Sequence, residues 1–209
     1  MLLDDGRLSI ATEPPEFSPV VSREPINGLL AILNNLATRY PNGLYWSQTG
    51  TSIIGPNAIK NFPEYWQGAA FTPPNDATVT RIDVAVGYSG GGTNSIVVSL
   101  NADSSGVPGA ALHTWGGVTM PIFGQCCGVA TVKDSAGIPL SAGQQYWIVV
   151  RTGSHDKATT AAWNPNDTDQ VDKATVAVWC SADHGGTCTA NDTWTIEHGI
   201  DFAFAVYGR

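Results

Sequence analysis

Charge is what this sequence of 209 residues has least of. Only 13% of it is Asp, Glu, Lys or Arg, about half the usual share. Its polar surface must therefore be built from Ser, Thr, Asn and Gln. Ten scattered basic residues against eighteen acidic ones leave a formal net charge of −8. Nucleic acids and anionic lipids are both gripped through clustered Lys and Arg, so neither nucleic acid nor membrane is expected as a partner. The acidity reads as a solubility device.

Long apolar runs are missing as well. No segment reaches the ~18 apolar residues of a membrane span. The opening MLLDDGRLSI puts two acids where the basic region of a secretory signal would lie, so no such signal is expected. The motifs of common chemistries are also absent. The four His residues form neither an i,i+4 pair nor HExxH, and Glu64 and Glu197 lack any diagnostic neighbourhood. The chain is not expected to be an enzyme; a polysaccharide-active enzyme is a remote alternative.

What the sequence does have is turn formers and aromatics. Hydrophobic content of 43%, 23 Gly, 13 Pro, seven Trp and six Tyr describe a folded, turn-rich chain. Residues 1–21 read as an extended arm, because Pro14, Pro15 and Pro19 forbid regular helix. Leu8, Ile10, Phe17, Val20 and Val21 punctuate that arm, an arrangement suited to docking on a surface. Residues 22–39 read as one short helix. Ser22 can cap it, Pro25 suits its first turn, and YPNG at 40–43 stops it. Ile26, Leu29, Leu30, Leu33 and Leu36 follow helical spacing, which does not say whether the stripe packs on its own domain or on another subunit.

From Tyr45 onward the pattern is strands. TRIDVAVGY alternates Ile82, Val84, Val86 and Tyr88 against polar or small residues, and NSIVVSL puts Ile96, Val98 and Leu100 on one face. QYWIVVR, ATVAVWC, TWTI and DFAFAVYG continue the theme. YSGGGTN, NADSSGVPG, KDSAGIPLSAG and NPNDTDQ between them carry turn chemistry. The expected fold is all-β, a β-sandwich of jelly-roll type over 45–209, preceded by an arm and short helix over 1–44.

Four pieces of this strand-rich region, IDVAVGY, DSSGVPG, FGQCC and PLSAGQQYWIVV, resemble the choice-of-anchor β-sandwich domains of bacterial secreted and surface proteins, the R type most of all. The likeness spans roughly residues 71–164. It implies a fold and an extracellular setting, with no catalytic residues to carry over. With no export signal expected, the setting implied is a protein that leaves the cell inside a virus or similar particle.

Cys180 and Cys188 bracket the polar loop SADHGGT and are expected to form a disulfide. Cys126 and Cys127 can join each other through a strained ring, pair elsewhere or stay reduced, and sequence does not choose. Asp167, Asp169 and Asp172 fall in one loop, a candidate for structural calcium without the EF-hand pattern; no other cofactor is expected. Trp163, Trp179 and Trp194, with Asn164 and Asp167 close by, are candidates for a shallow glycan site, since a sugar ring offers its C–H face to an exposed indole. Trp115 and Trp147, inside strands, are expected in the core.

Together these features lead us to expect a non-catalytic structural or attachment protein on the outside of a particle such as a phage virion. Leu8, Ile10, Phe17, Val20, Leu29 and Leu33 would anchor it to neighbouring subunits, identical copies or capsid and tail proteins, and surface glycans are a further candidate partner. The alternative is a carbohydrate-binding module of a secreted bacterial surface protein.

Overall fold

A computed structural model describes residues 30–34 (backbone only), 53–56, 63–123, 129–153, 158–164, 175–182, 188, 192–198 and 202–209. Among these the chain is built from strands and has no α-helix. In chain order they are β1 Leu30–Asn34, β2 Ile53–Ile54, β3 Glu64–Phe71, β4 Ala77–Val84, β5 Val86–Gly90, β6 Ile96–Ser104 and β7 Val107–Val118. Then follow β8 Ala130–Leu140, β9 Tyr146–Arg151, β10 Thr160–Trp163, β11 Val176–Ser181, β12 Thr193–Glu197 and β13 Phe204–Gly208. The expected all-β sandwich is what forms.

Three antiparallel sheets make the body: β1-β13-β4-β8, β2-β10-β5, and the six-stranded β12-β11-β3-β9-β6-β7. Alternation in the sequence explains which face each strand buries. Val79, Ile82 and Val84 of β4, Val132, Ile138 and Leu140 of β8, and Phe204 and Val206 of β13 meet Phe71, Val98, Leu100, Ile148 and Val150 in one core. The first and second sheets are continuous through β4 and β5, which only Ala85 separates. There Ala85 N donates to Ala203 O at 3.0 Å and Asn164 N to Ala85 O at 2.9 Å.

Of the segments with turn chemistry, one is a tight reversal as expected and one stays largely strand. DSSGVPG is a two-residue hairpin turn, with Ser105 and Gly106 at φ of 58° and 86°, the left-handed pair that such a tight turn requires. KDSAGIPL stays inside β8, where Asp134 Oδ1 accepts Ala136 N at 2.9 Å and Gly137 N at 3.2 Å. The side chain closes the bulge that turn propensity alone reads as a chain reversal.

The expected helix over 22–39 is corrected where it can be seen: Leu30–Asn34 is strand β1. It pairs antiparallel with β13, from Leu30↔Gly208 to Asn34↔Ala205, with a bulge between Ala31 and Leu33. A short apolar run satisfies either period, and pairing along the free edge of β13 decides it. This piece of the expected anchoring segment is therefore part of the sandwich. The rest of that helix, including Leu29, and the arm residues Leu8, Ile10, Phe17 and Val20 lie outside the described residues.

Candidate functional site

The outward face of the six-stranded sheet is unusual for a sandwich because it is apolar as well. Trp147, Val149 and Ala177 form a second buried cluster there, with Ala70 and Trp194 packed against it. Burial is possible because the sheet curls until its two edge strands, β7 and β12, approach each other. The β6–β7 hairpin reaches over this face as far as β3. A Cβ on Gly68 would lie 3.1 Å from Pro108 Cγ and 3.5 Å from Trp147 Cε3, so the missing side chain makes room for both. Trp147 is in a core, as expected, but in this smaller one.

Asp103 fastens the hairpin. Its Oδ1 accepts Trp147 Nε1 and Gln145 Nε2, each at 2.8 Å, and its Oδ2 accepts the Gly106 amide at 3.0 Å. The Trp147 bond does most to hold the Asp103 carboxyl below the usual carboxylate range; burial opposes this, and the Gly106 and Gln145 bonds reinforce it.

Further along the same face lies a row of aromatics. The register sets Trp66 of β3 opposite Trp179 of β11, and Trp179 opposite Trp194 of β12. Cross-strand neighbours on one face interact directly. Trp66 and Trp179 stack with centroids 4.0 Å apart, and Trp194 stands edge-on to Trp66 at 6.5 Å. On the other side of Trp66, from β9, the Arg151 guanidinium carbon lies 5.1 Å from the ring centroid. Trp66 is thus held on both faces, while Trp179 and Trp194 remain partly exposed. From β9 to β12 the row crosses about 14 Å at the usual strand spacing.

A polar margin borders the row. Glu64 Oε1 accepts Trp66 Nε1 at 2.7 Å and Thr152 Oγ1 at 3.3 Å, and Arg151 Nη1 donates to Thr152 O at 3.2 Å. At the far end of β11, Cys180 is bonded to Cys188 with Cα atoms 5.9 Å apart, as expected. The bridge points to an oxidising compartment. It braces the chain one residue beyond Trp179, and Asp192 N donates to Cys180 O at 2.8 Å.

Glu64 and Glu197 do not form an opposed pair. Glu64 shares the parity of Trp66 and faces outward. Glu197 is opposite Val176, itself opposite the core residue Ala69, and so takes the inner parity. Burial pushes the Glu197 carboxyl up. Burial and the charge of Glu197 push up the Tyr65 phenol. A general acid and its partner must flank one substrate bond, and these two glutamates are on opposite sides of a sheet. What the outward row offers is binding: aromatic surface, hydrogen-bonding groups and one cation.

Two of the expected glycan residues are corrected. Trp163 is fully buried, its ring stacked on Phe202 at 4.7 Å and its Nε1 donating to Ala203 O at 3.0 Å. Asn164 is buried beside it, its Nδ2 donating to Ala85 O at 2.7 Å. Both lock the β4–β5 junction, where no sugar can reach. Trp179 and Trp194 do lie together in one aromatic row, which Trp66, not singled out in the sequence, completes. Its signal lay in the alternation of EYWQGAAF, but only strand register sets Trp66 beside Trp179.

Asp167, Asp169 and Asp172 lie outside the described residues, as do Cys126 and Cys127. Among the described residues no group of three His, Cys, Asp or Glu side chains could hold a metal ion, and no helix is long and apolar enough to cross a membrane. No protein-family model matches the chain. No curated protein matches it either.

Proposed function

We propose that the chain is a non-catalytic attachment protein, displayed on the outside of a particle such as a phage virion, that holds saccharide on the outward face of its six-stranded sheet. The observation that carries this reading is the row Trp66–Trp179–Trp194. A contiguous row of part-exposed indoles marks a binding surface better than a lone apolar residue does, and a sugar ring packs its C–H face on an indole while its hydroxyls bond to polar neighbours. The Cys180–Cys188 bridge supports an extracellular setting, and the low charge suits a surface built from neutral polar groups. The likeness to choice-of-anchor domains belongs to this proposal. Of its four motifs, IDVAVGY runs through β4 and β5, DSSGVPG forms the β6–β7 turn, and PLSAGQQYWIVV leads from β8 into β9.

Display on a particle also requires an anchor. The arm over 1–21 keeps that role in the proposal, whereas residues 30–34 serve the sandwich. Glycan-array screening of the full chain, followed by titration calorimetry, tests the saccharide reading. Wild type should bind at least one oligosaccharide, and Trp194→Ala should weaken it tenfold or more while remaining folded with a cooperative melt. An array with no binder, or unchanged affinity in a folded Trp194→Ala variant, would sink it.

A further inference from the structure

Arg151 is the one cation in the aromatic row, and its surroundings differ from those of Arg81 on the opposite sheet. Arg81 is neutralised: its Nε and Nη2 meet the two carboxylate oxygens of Asp83 at 2.8 and 2.6 Å. Arg151 stacks on Trp66 and donates once, to the Thr152 carbonyl, which carries no net charge. Among the described residues it forms no ion pair. In a chain with eighteen acids to ten bases, a partly exposed guanidinium that meets no carboxylate among the described residues needs an explanation.

Stacking on an indole fixes the guanidinium plane and leaves its N–H edges available. A guanidinium so fixed is preorganised for an acceptor with two oxygens in one plane, the fork-to-fork geometry of arginine and carboxylate. We infer that Arg151 makes the row selective for acidic saccharide, pairing with an anionic substituent of a sugar whose ring packs on the neighbouring indoles. The inference rests on the saccharide reading and adds the class of sugar. A net charge of −8 repels any polyanion from afar, but at physiological salt that field is screened beyond about 8 Å. The pairing at Arg151 is a contact interaction and persists inside that range.

The experiment compares oligogalacturonate with its methyl ester, which keeps the rings and loses the charge, by titration calorimetry against the full chain. A sulfated neutral oligosaccharide forms a third arm and separates carboxylate from sulfate as the anion. We expect the acid to bind at least tenfold more tightly than the ester, with Arg151→Gln removing that difference and Arg151→Lys restoring part of it. Melting curves of both variants confirm folding, and the Lys variant keeps the test open should the Gln variant fail to fold. If acid and ester bind wild type equally and both are lost with Trp194→Ala, selectivity is refuted and the saccharide reading stands. Should the sulfated sugar alone exceed the ester, the anionic inference holds with sulfate as its partner. Absence of binding by all three, with an empty array, refutes both.

Discussion

Trp66 and Trp179 lie face to face, ring centroids 4.0 Å apart and planes 24° from parallel, because β3 and β11 are neighbours in register. Nothing local in the chain brings them together. The stack gives the two residues different work from Trp194. Trp66 has protein on both faces, with Arg151 over the second, and so acts as the post against which the others are set. Trp194 stands at the edge strand, packed against the small outward cluster on its inner side.

This division predicts separable effects. Trp66→Ala should destabilise the fold by about 2 kcal/mol, since an aromatic pair adds roughly 0.5–1.5 kcal/mol to the loss of buried area. Trp194→Ala should cost less than about 1 kcal/mol, as expected for a part-exposed residue on an edge strand, yet remove most saccharide affinity. Urea denaturation beside calorimetric titration of the two variants checks the split. Equal stability losses would show that the row is a single structural unit.

Trp163 and Asn164 should behave in the opposite way. Trp163→Ala empties a fully buried site and is expected to cost about 3–5 kcal/mol, enough to unfold many domains. Trp163→Phe keeps most of the volume and removes the indole bond to the Ala203 carbonyl, which still accepts the Ala85 amide, a loss of about 0.5–1.5 kcal/mol. Any sugar binding should survive Trp163→Phe unchanged at a temperature where the variant is folded. Thermal melts and titrations on the same samples distinguish a latch from a ligand contact.

Much of the fold was legible in the sequence, and the reasons differ from piece to piece. Ile82, Val84, Ile96, Val98 and Leu100 recur at every second position, and period two is a direct image of a half-buried strand. Cys180 and Cys188 were readable because a short polar loop limits how far apart their backbones can lie. Leu30–Asn34 misled because its four apolar residues fit both periods, and the deciding partner, β13, lies at the other end of the chain. Trp163 misled for a related reason: AAW is followed by the polar NPND, so composition places it at the surface, while its hydrogen bond to Ala203 draws it inward. Trp66, Trp179 and Trp194 form a row only through strand register, which no local pattern contains.

Opening the Cys180–Cys188 bridge should loosen the aromatic end of β11. The bridge closes a short loop, with a sequence separation of 8, for which chain entropy predicts about 2–3 kcal/mol. The double variant Cys180→Ser/Cys188→Ser should lose that much in urea. Because the bridge adjoins Trp179, tryptophan fluorescence should shift to the red in the native baseline before the main transition. A cooperative loss of stability with an unchanged baseline would mean that the row is held by β3 and β12 alone.

Acid should act on this molecule in two opposed steps. The Glu197 carboxyl is raised by burial, so its ionised form is less welcome in the folded state than in the unfolded one. Its effect is to add stability as pH falls through that raised value, and to withdraw it as pH climbs back. Asp103 has the reverse sign. Its folded value lies below the unfolded one, chiefly through the Trp147 hydrogen bond. The stability it confers is complete above the unfolded carboxylate value of about 4 and disappears as pH drops through the folded value. Glu197→Gln should therefore be more stable than wild type at neutral pH and indistinguishable from it once Glu197 is protonated. Asp103→Ala should lose about 1–3 kcal/mol at neutral pH by stranding the buried Trp147 N–H, with a flatter decline in acid. Urea midpoints measured from neutral pH down to about pH 3 resolve the two limbs. A Glu197→Gln variant that tracks wild type at every pH would place that carboxylate in water, and a steep acid limb retained in Asp103→Ala would assign the loss to other carboxylates.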